Sequence, residues 1–504
     1  MSTQGFNIVE VFVRAANEHP QATALVHEGK QVTYQQLLQD VLCTAAYYQE
    51  KGIAPGSNIL VFIPMSIELY RTVLALMYIG AVPVFLDGWV AGERLRECLD
   101  VVPCEALIAP VKLILYSAFS GPLRSIHLKI KAGKKSSAPL SSPPYATGAA
   151  NTALITFTTG STGIPKAADR THTFLHAQLT TLMPLLQVNA ERTLTTLPIV
   201  VLIQLAMGRT TYLPPEKFKI DKPDTITHIA TECKDPKIST LIVSPAVIDG
   251  LTKFTLPQVR HILTGGGPVF PLLAGDITIK FPQATATIIY GSTEAEPISH
   301  ISSAEVGNTS LKTLQQWGLP VGVADAAAMV SVIPFTGTAI PQLSSFNWRQ
   351  MQCQPGEAGE IVVTGEHVLK NYINNPEAVA MNKIHVDGMI WHRTGDAGRI
   401  SADGRLFFLG RAKEAFDWHN KTVFPVIAAN CFKMRSRVRE AAVLMHKGQP
   451  TLVIEADAAL PERLLTPSLE DAGLAGVTIR YLKKIPKDPR HQTKIDYDKL
   501  AAHL

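Results

Sequence analysis

Along the first ninety residues the apolar positions recur with two different periods. Ile8, Phe12 and Ala15 fall on one face of a helix that Asn7 can cap, with Glu10 three positions further on. Thr33 opens a second amphipathic helix over 34–49, and an apolar strand-like run at 58–63 leads into a third helix over 67–79. Another apolar run follows at 82–86. Strands alternating with helices predict an α/β architecture with a mostly parallel sheet. Further strands are expected at 153–157, 240–243, 261–263, 285–290 and 360–363. The Asp403-Gly404 pair predicts a hairpin joining 398–400 to 406–409. Residues 131–150, rich in Lys, Ser, Pro and Gly, read as an exposed linker. Past Gly410-Arg411 the apolar pattern weakens and charge rises. A boundary there gives an N-terminal domain of residues 1–410 and a C-terminal domain of residues 411–504.

At 504 residues the chain exceeds what one hydrophobic core supports. With 46% hydrophobic and 18% charged residues it is neither a disordered tail nor a charge-laced coiled coil. The net charge of +5 suits anionic and neutral ligands equally. No basic run interleaved with aromatics suggests a nucleic-acid groove, so no nucleic-acid partner is expected. The six cysteines are scattered, which argues against a disulfide framework or zinc ribbon. The start of the chain lacks a signal-peptide pattern and no stretch reads as a membrane span, so a cytoplasmic enzyme is expected, with peripheral membrane contact left open.

Candidate chemistry begins at Thr158-Thr159-Gly160-Ser161-Thr162-Gly163-Ile164-Pro165-Lys166. Two glycines in a hydroxyl-rich loop let backbone N–H groups converge on a polyphosphate, and Lys166 adds a charge. Pro165 precedes that lysine, so this is not a Walker loop. Gly265-Gly266-Gly267 follows a second strand, where bare backbone lets a flat base or ribose approach. Tyr290-Gly291-Ser292-Thr293-Glu294 closes a third strand, at the carboxyl end where open α/β sheets place ligands. Tyr290 can stack on a base, and Glu294 can hold Mg²⁺ between phosphate oxygens. Asp396, in Trp391-His392-Arg393-Thr394-Gly395-Asp396, suits a ribose diol, with Arg411 nearby. His172 and His176 have i, i+4 spacing but no third ligand, and read as structural or solvated.

Taken in order, these segments and the terminal Lys494 resemble the adenylate-forming superfamily of acyl-CoA synthetases, amino-acid adenylation domains and luciferases. The resemblance spans essentially the whole chain, including Thr33-Tyr34-Gln35-Gln36-Leu37 and Gly80-Ala81-Val82. It implies an AMP-forming ligase with a large multi-subdomain N-terminal domain and a small, mobile α+β C-terminal domain. By that resemblance Thr158, Thr159, Gly160, Ser161, Thr162, Gly163 and Lys166 hold the ATP phosphates, with Thr162 and Glu294 at Mg²⁺. Gly265, Gly266, Gly267 and Tyr290, with Gly291, Ser292 and Thr293, face the nucleotide; Asp396 and Arg411 take the ribose. Lys413 lies at the interdomain hinge, and Lys494 bridges the substrate carboxylate and the α-phosphate. Thr162, Glu294 and Lys494 are then the catalytic set.

Some positions depart from the family pattern. Ala167 replaces a Gly, the run Ile199-Val200-Val201-Leu202 lacks the usual aromatic or His, and Asp417 and Asn420 stand where a Lys and a Gly are usual. That Gly lines the pantetheine tunnel in relatives, so Asn420 puts CoA as second substrate in question. Three stretches are similar to the β-lactone synthetases of bacterial long-chain olefin biosynthesis: Leu197-Pro198 with Leu205-Ala206-Met207-Gly208, Trp391–Asp396, and Arg490-His491-Gln492-Thr493-Lys494-Ile495. The resemblance implies a long-chain carboxylic acid, activated and then captured by its own hydroxyl, by CoA or by an acyl carrier protein. Pathway enzymes are further candidate partners. From another class, a non-catalytic nucleotide-binding protein is disfavoured by the intact Lys166, Glu294, Asp396 and Lys494. A serine hydrolase is disfavoured by the lack of a Gly-x-Ser-x-Gly elbow. The apolar run 193–207 can line an acyl pocket or form a buried helix.

Overall fold

The computed structural model describes residues 6–86, 90, 92–158, 164–186, 192–216, 218, 223–235, 237–488 and 494–504. Local signals act where they stand. Thr33 caps the helix Tyr34–Glu50 through a full capping box with Gln36. Asn7 accepts from the Val9 N–H and its own N–H donates to Glu10, at the start of the helix Val9–Glu18. The Ser66 hydroxyl accepts from the Leu69 N–H at the start of Ile67–Tyr78.

Two sheets organise the large N-terminal part. In one, five strands run parallel in the order Thr152–Thr158, Val82–Phe85, Asn58–Val61, Ala106–Ala109 and Leu128–Lys131. Lys166–Thr171 and Tyr372–Ile373 extend it antiparallel. The other sheet holds fourteen strands among the described residues. Its parallel part includes Arg192–Thr195, Thr240–Val243, His261–Gly265 and Thr285–Ser292. From there Ala295–Ser302, Leu319–Ala324, Arg405–Arg411, Met389–Ile400 and Gly359–Thr364 pair antiparallel. The expected mostly parallel sheet is therefore a mixed one. Only two residues separate Ser292 from Ala295, too few for a parallel crossover, so the chain must turn back.

Tyr34, Tyr48, Tyr70 and Phe12 fill the core between the first helices. A second core under the large sheet takes in Ile427 and Cys431 from the helix Pro425–Ser436. That helix also packs on the three-stranded sheet Ala441–His446, Gln449–Glu455 and Thr478–Leu482 through Ala428, Ala429 and Phe432, so one helix serves both cores with different faces. The stretch 132–151 carries no regular element. All six cysteines are free. Among the described residues, no helix is long and apolar enough to cross a membrane.

Candidate active site

The strand Thr152–Thr158 aims its carboxyl end at the hydroxyl-rich loop. Thr159, Gly160, Ser161, Thr162 and Gly163 lie outside the described residues, as does the side chain of Thr158. The chain returns at Lys166, which opens the strand Lys166–Thr171. Lys166 Nζ donates to Asn382 Oδ1 at 3.1 Å and sits 5.7 Å above the Tyr372 ring. Burial pushes its pKa below the ordinary lysine value, while Glu294 pulls it back up.

Glu294 follows the strand Thr285–Ser292 and anchors through its carbonyl, which accepts from the Leu369 N–H at 2.7 Å. The Tyr372 hydroxyl donates to its Oε1 at 3.0 Å. Burial opposes the charge on this carboxyl, yet surrounding groups, Lys383 and Tyr372 among them, hold its pKa below the usual carboxylate range. Gly291, in the same turn, has no room for a side chain: a Cβ would stand 2.7 Å from the Ala295 carbonyl oxygen.

Across the cavity, Tyr290, Asp396 and Arg411 form one chain of contacts. The Tyr290 hydroxyl donates to Asp396 Oδ2 at 2.8 Å, and Arg411 Nη1 donates to Oδ1 at 2.6 Å. Pairing of Met389–Ile400 with Arg405–Arg411 puts Asp396 directly opposite Arg411. Gly395 has φ +70° and a Cβ there would meet the Arg411 guanidinium at 3.0 Å, so the left-handed glycine keeps that arginine in place. The ring of Tyr290 packs against Phe408, with centroids 5.9 Å apart.

These residues share one cavity of about 1440 Å³. Gly265, Gly266, Gly267, Tyr290, Asp396 and Arg411 line one part of it. Lys166, Glu294 and Tyr372 line another, and Lys413, Glu414 and Lys494 close it from the C-terminal side. A third part is apolar, walled by Leu186, Ile199, Val200, Leu202, Met65 and Phe85. Residues 193–207 thus divide: Arg192–Thr195 is a strand, and Pro198–Ala206 is a helix with one face in the core and another on the cavity. Asn420 sits on an exposed hairpin turn with φ +59°, a conformation Asn tolerates. Asp417, three residues earlier in the strand Phe416–Trp418, accepts from the Thr422 hydroxyl.

The expected site residues whose side chains are described therefore line one cavity, which carries both charged and apolar walls. The sequence pattern of the AMP-binding enzyme family matches residues 12–373. The chain belongs to the AMP-binding enzyme family. An olefin β-lactone synthetase of Stenotrophomonas maltophilia is 27% identical, over 98% of this chain and 97% of that protein. A D-alanine–D-alanyl carrier protein ligase of Lacticaseibacillus rhamnosus is 24% identical over 80% and 78%. Among solved structures, an amide bond synthetase from Marinactinospora thermotolerans superposes with a TM-score of 0.79 at 20% identity, over 99% and 100% of the two chains. O-succinylbenzoate coenzyme A synthetase of Bacillus subtilis, in complex with ATP and magnesium, gives 0.77 at 20% identity over 96% and 98%. The protein is an AMP-forming ligase of adenylate-forming fold, acting on ATP and a carboxylic acid.

Several site groups carried no signal in the sequence. Lys383 is fully buried; its Nζ donates to the Leu369 carbonyl oxygen, lies 3.2 Å from His392 Nδ1 and sits 5.3 Å above the Tyr372 ring. Burial pushes it down to about 7, and pushes His392 down to about 3. Arg393, just before the Thr394-Gly395-Asp396 motif, is structural: it pairs with Glu360 at 2.6 Å and donates to the Thr336, Thr338 and Met381 carbonyls. Arg170 donates to the Thr156 hydroxyl at the cavity wall, beside Glu296, whose carboxyl burial raises. His172 is buried and accepts from the Ile8 N–H, and His176 packs edge-on against Phe6, so the pair is structural. Among the described residues no group of three or more His, Cys, Asp and Glu is placed to hold a metal.

Proposed function

We propose that this ligase activates a 3-hydroxy fatty acid as its acyl-adenylate and then closes it to a β-lactone. The observation that carries the reading is the single cavity in which an apolar wall from Pro198–Ala206 continues into the cationic and ribose-facing groups. An acyl chain fits the first and ATP the second. The similarity to the olefin β-lactone synthetase, over nearly the whole of both chains, supports the choice of acceptor.

In the first step a substrate carboxylate oxygen attacks the α-phosphorus and pyrophosphate leaves. Two anions must meet, so cations decide the barrier. Lys166 faces the phosphates, and Lys494 approaches from the C-terminal side to bridge the attacking carboxylate and the α-phosphate. Asp396, already shaped by Tyr290 and Arg411, takes the ribose hydroxyls. Glu294, kept as a carboxylate, and Thr162 would hold Mg²⁺, which supplies charge neutralisation for the phosphates. In the second step the 3-hydroxyl oxygen attacks the acyl carbon, the bond to AMP breaks, and the hydroxyl proton is lost. The nucleophile is tethered three bonds from the carbonyl carbon, so proximity replaces a second substrate.

The test pairs a 3-hydroxy fatty acid with its 3-deoxy counterpart in the absence of CoA. Both should support ATP–pyrophosphate exchange, but only the hydroxy acid should release AMP over many turnovers. Equal multiple-turnover AMP release from both acids would contradict the reading. The carrier-protein ligase relatives favour a second reading, acyl transfer to a carrier protein, which would show as AMP release only when that protein is added.

A further inference from the structure

Fourteen large apolar side chains are exposed among the described residues, and four of them fall between positions 111 and 119. They are Val111, Leu115, Tyr116 and Phe119, the last 88% exposed. The helix Val111–Ser117 explains the arrangement. Leu113 and Ile114 turn inward onto the core of the seven-stranded sheet, so positions 111, 112, 115 and 116 share the outward face. Phe119 continues that face one turn on, and exposed Lys112 stands within it.

The surroundings are basic. Between Glu105 and Asp169 the sequence holds no Asp or Glu at all, but has Lys112, Arg124, Lys129, Lys131, Lys134, Lys135 and Lys166. Leu128–Lys131 is the edge strand of its sheet, with Lys131 exposed and Lys129 partly so; Lys134 is exposed just after it, and Arg124 is exposed ahead of its amino end. The acidic groups that reach this region are engaged. Asp40 pairs with Lys135, Glu68 with Arg71 and the Gly133 N–H, Glu50 with the Ser136 hydroxyl, and Glu93 with Arg96. Asp100 and Glu105 precede the strand Ala106–Ala109 and so belong to the opposite edge of the sheet.

The position in the fold gives this face a use. In the five parallel strands all carboxyl ends lie along one edge. That edge carries Ile63, Met65, Phe85 and Leu86 at the acyl cavity, the start of the helix Val111–Ser117, and Lys131 with the following lysines. We propose that the outward face of the helix Val111–Ser117, with the edge strand Leu128–Lys131, docks on an anionic phospholipid bilayer, with Leu115, Tyr116 and Phe119 entering the headgroup boundary and the lysines meeting lipid phosphates. The proposal does not depend on which acceptor takes the acyl group.

The test is co-sedimentation of the full chain with vesicles of phosphatidylcholine alone and of phosphatidylcholine mixed with phosphatidylglycerol. Binding is expected only to the mixed vesicles, and is expected to fall with added salt. A Lys129→Glu/Lys131→Glu variant should lower the partition coefficient roughly tenfold or more. Leu115→Ser/Phe119→Ser should do the same while leaving ATP–pyrophosphate exchange on a short soluble acid unchanged. Equal sedimentation with both vesicle types, or with neither, overturns the proposal. So does a result in which Phe119→Ser converts a dimer to a monomer and leaves vesicle binding untouched, because the face is then a protein interface.

Discussion

At the scale of single residues, the part of the cavity proposed to take the nucleotide is held together by the protein's own contacts. Asp396 holds one oxygen against Tyr290 and the other against Arg411, while Gly395 leaves space for the guanidinium. Lys494 is different: it is exposed, it enters the cavity from the C-terminal side, and its charge reaches Glu414. At an effective dielectric of about 20, one lysine charge roughly 3.5 Å from an anion contributes on the order of 4–5 kcal/mol of attraction. Lys494→Ala is therefore expected to slow adenylate formation about 10²–10³-fold, the loss typical of one preorganised electrostatic group. ATP–pyrophosphate exchange measures this directly, and a near wild-type rate would remove Lys494 from the catalytic set. Residues of this kind were legible because short motifs expose them. Lys383 was not, because a lysine in Lys-Ile-His-Val reads as a solvated strand residue until the pairing of Lys383–Val386 with Met389–Ile400 places it opposite His392.

At the scale of elements, the helix ends were legible and the long-range ties were not. Capping residues act on their own backbone, so Thr33 announces its helix, whereas the helix after Asn7 has Ile8 at its cap position and Asn7 bonds the Val9 N–H from one residue further out. Nothing local announces that Ile8 will donate its N–H to His172, 164 positions away, joining the start of the helix Val9–Glu18 to the helix His172–Leu186. This tie needs a neutral imidazole, and burial pushes His172 down to about 4 from 6.5. Between those pH values the unfolded chain takes up a proton that the folded chain refuses. Stability at His172 is thus present above pH 6.5 and is lost as pH falls toward 4, by about 3 kcal/mol in full. His392, pushed down to about 3, steepens the same window. A His172→Gln variant keeps an acceptor for Ile8 and should show a shallower fall of the urea midpoint between pH 6.5 and 4. A slope identical to wild type would contradict this.

At the scale of the whole molecule, the α/β layers and the order of the motifs were readable, because period-two and period-3.6 patterns survive in the sequence. The mixed character of the large sheet was not, since the two-residue reversal between Ser292 and Ala295 falls in the polar Gly291-Ser292-Thr293-Glu294 segment, which reads equally well as the loop after a parallel strand. The cavity itself emerges only when loops separated by hundreds of residues meet at strand ends. Its apolar and cationic parts are continuous, and on that continuity the proposed two-step chemistry rests. The most direct measurement is mass spectrometry of reactions containing ATP, Mg²⁺ and a racemic 3-hydroxy fatty acid, with and without CoA. The account predicts a product lighter by one water, with AMP released equally in both reactions. A thioester formed only with CoA, and no water-loss product in either tube, would contradict it.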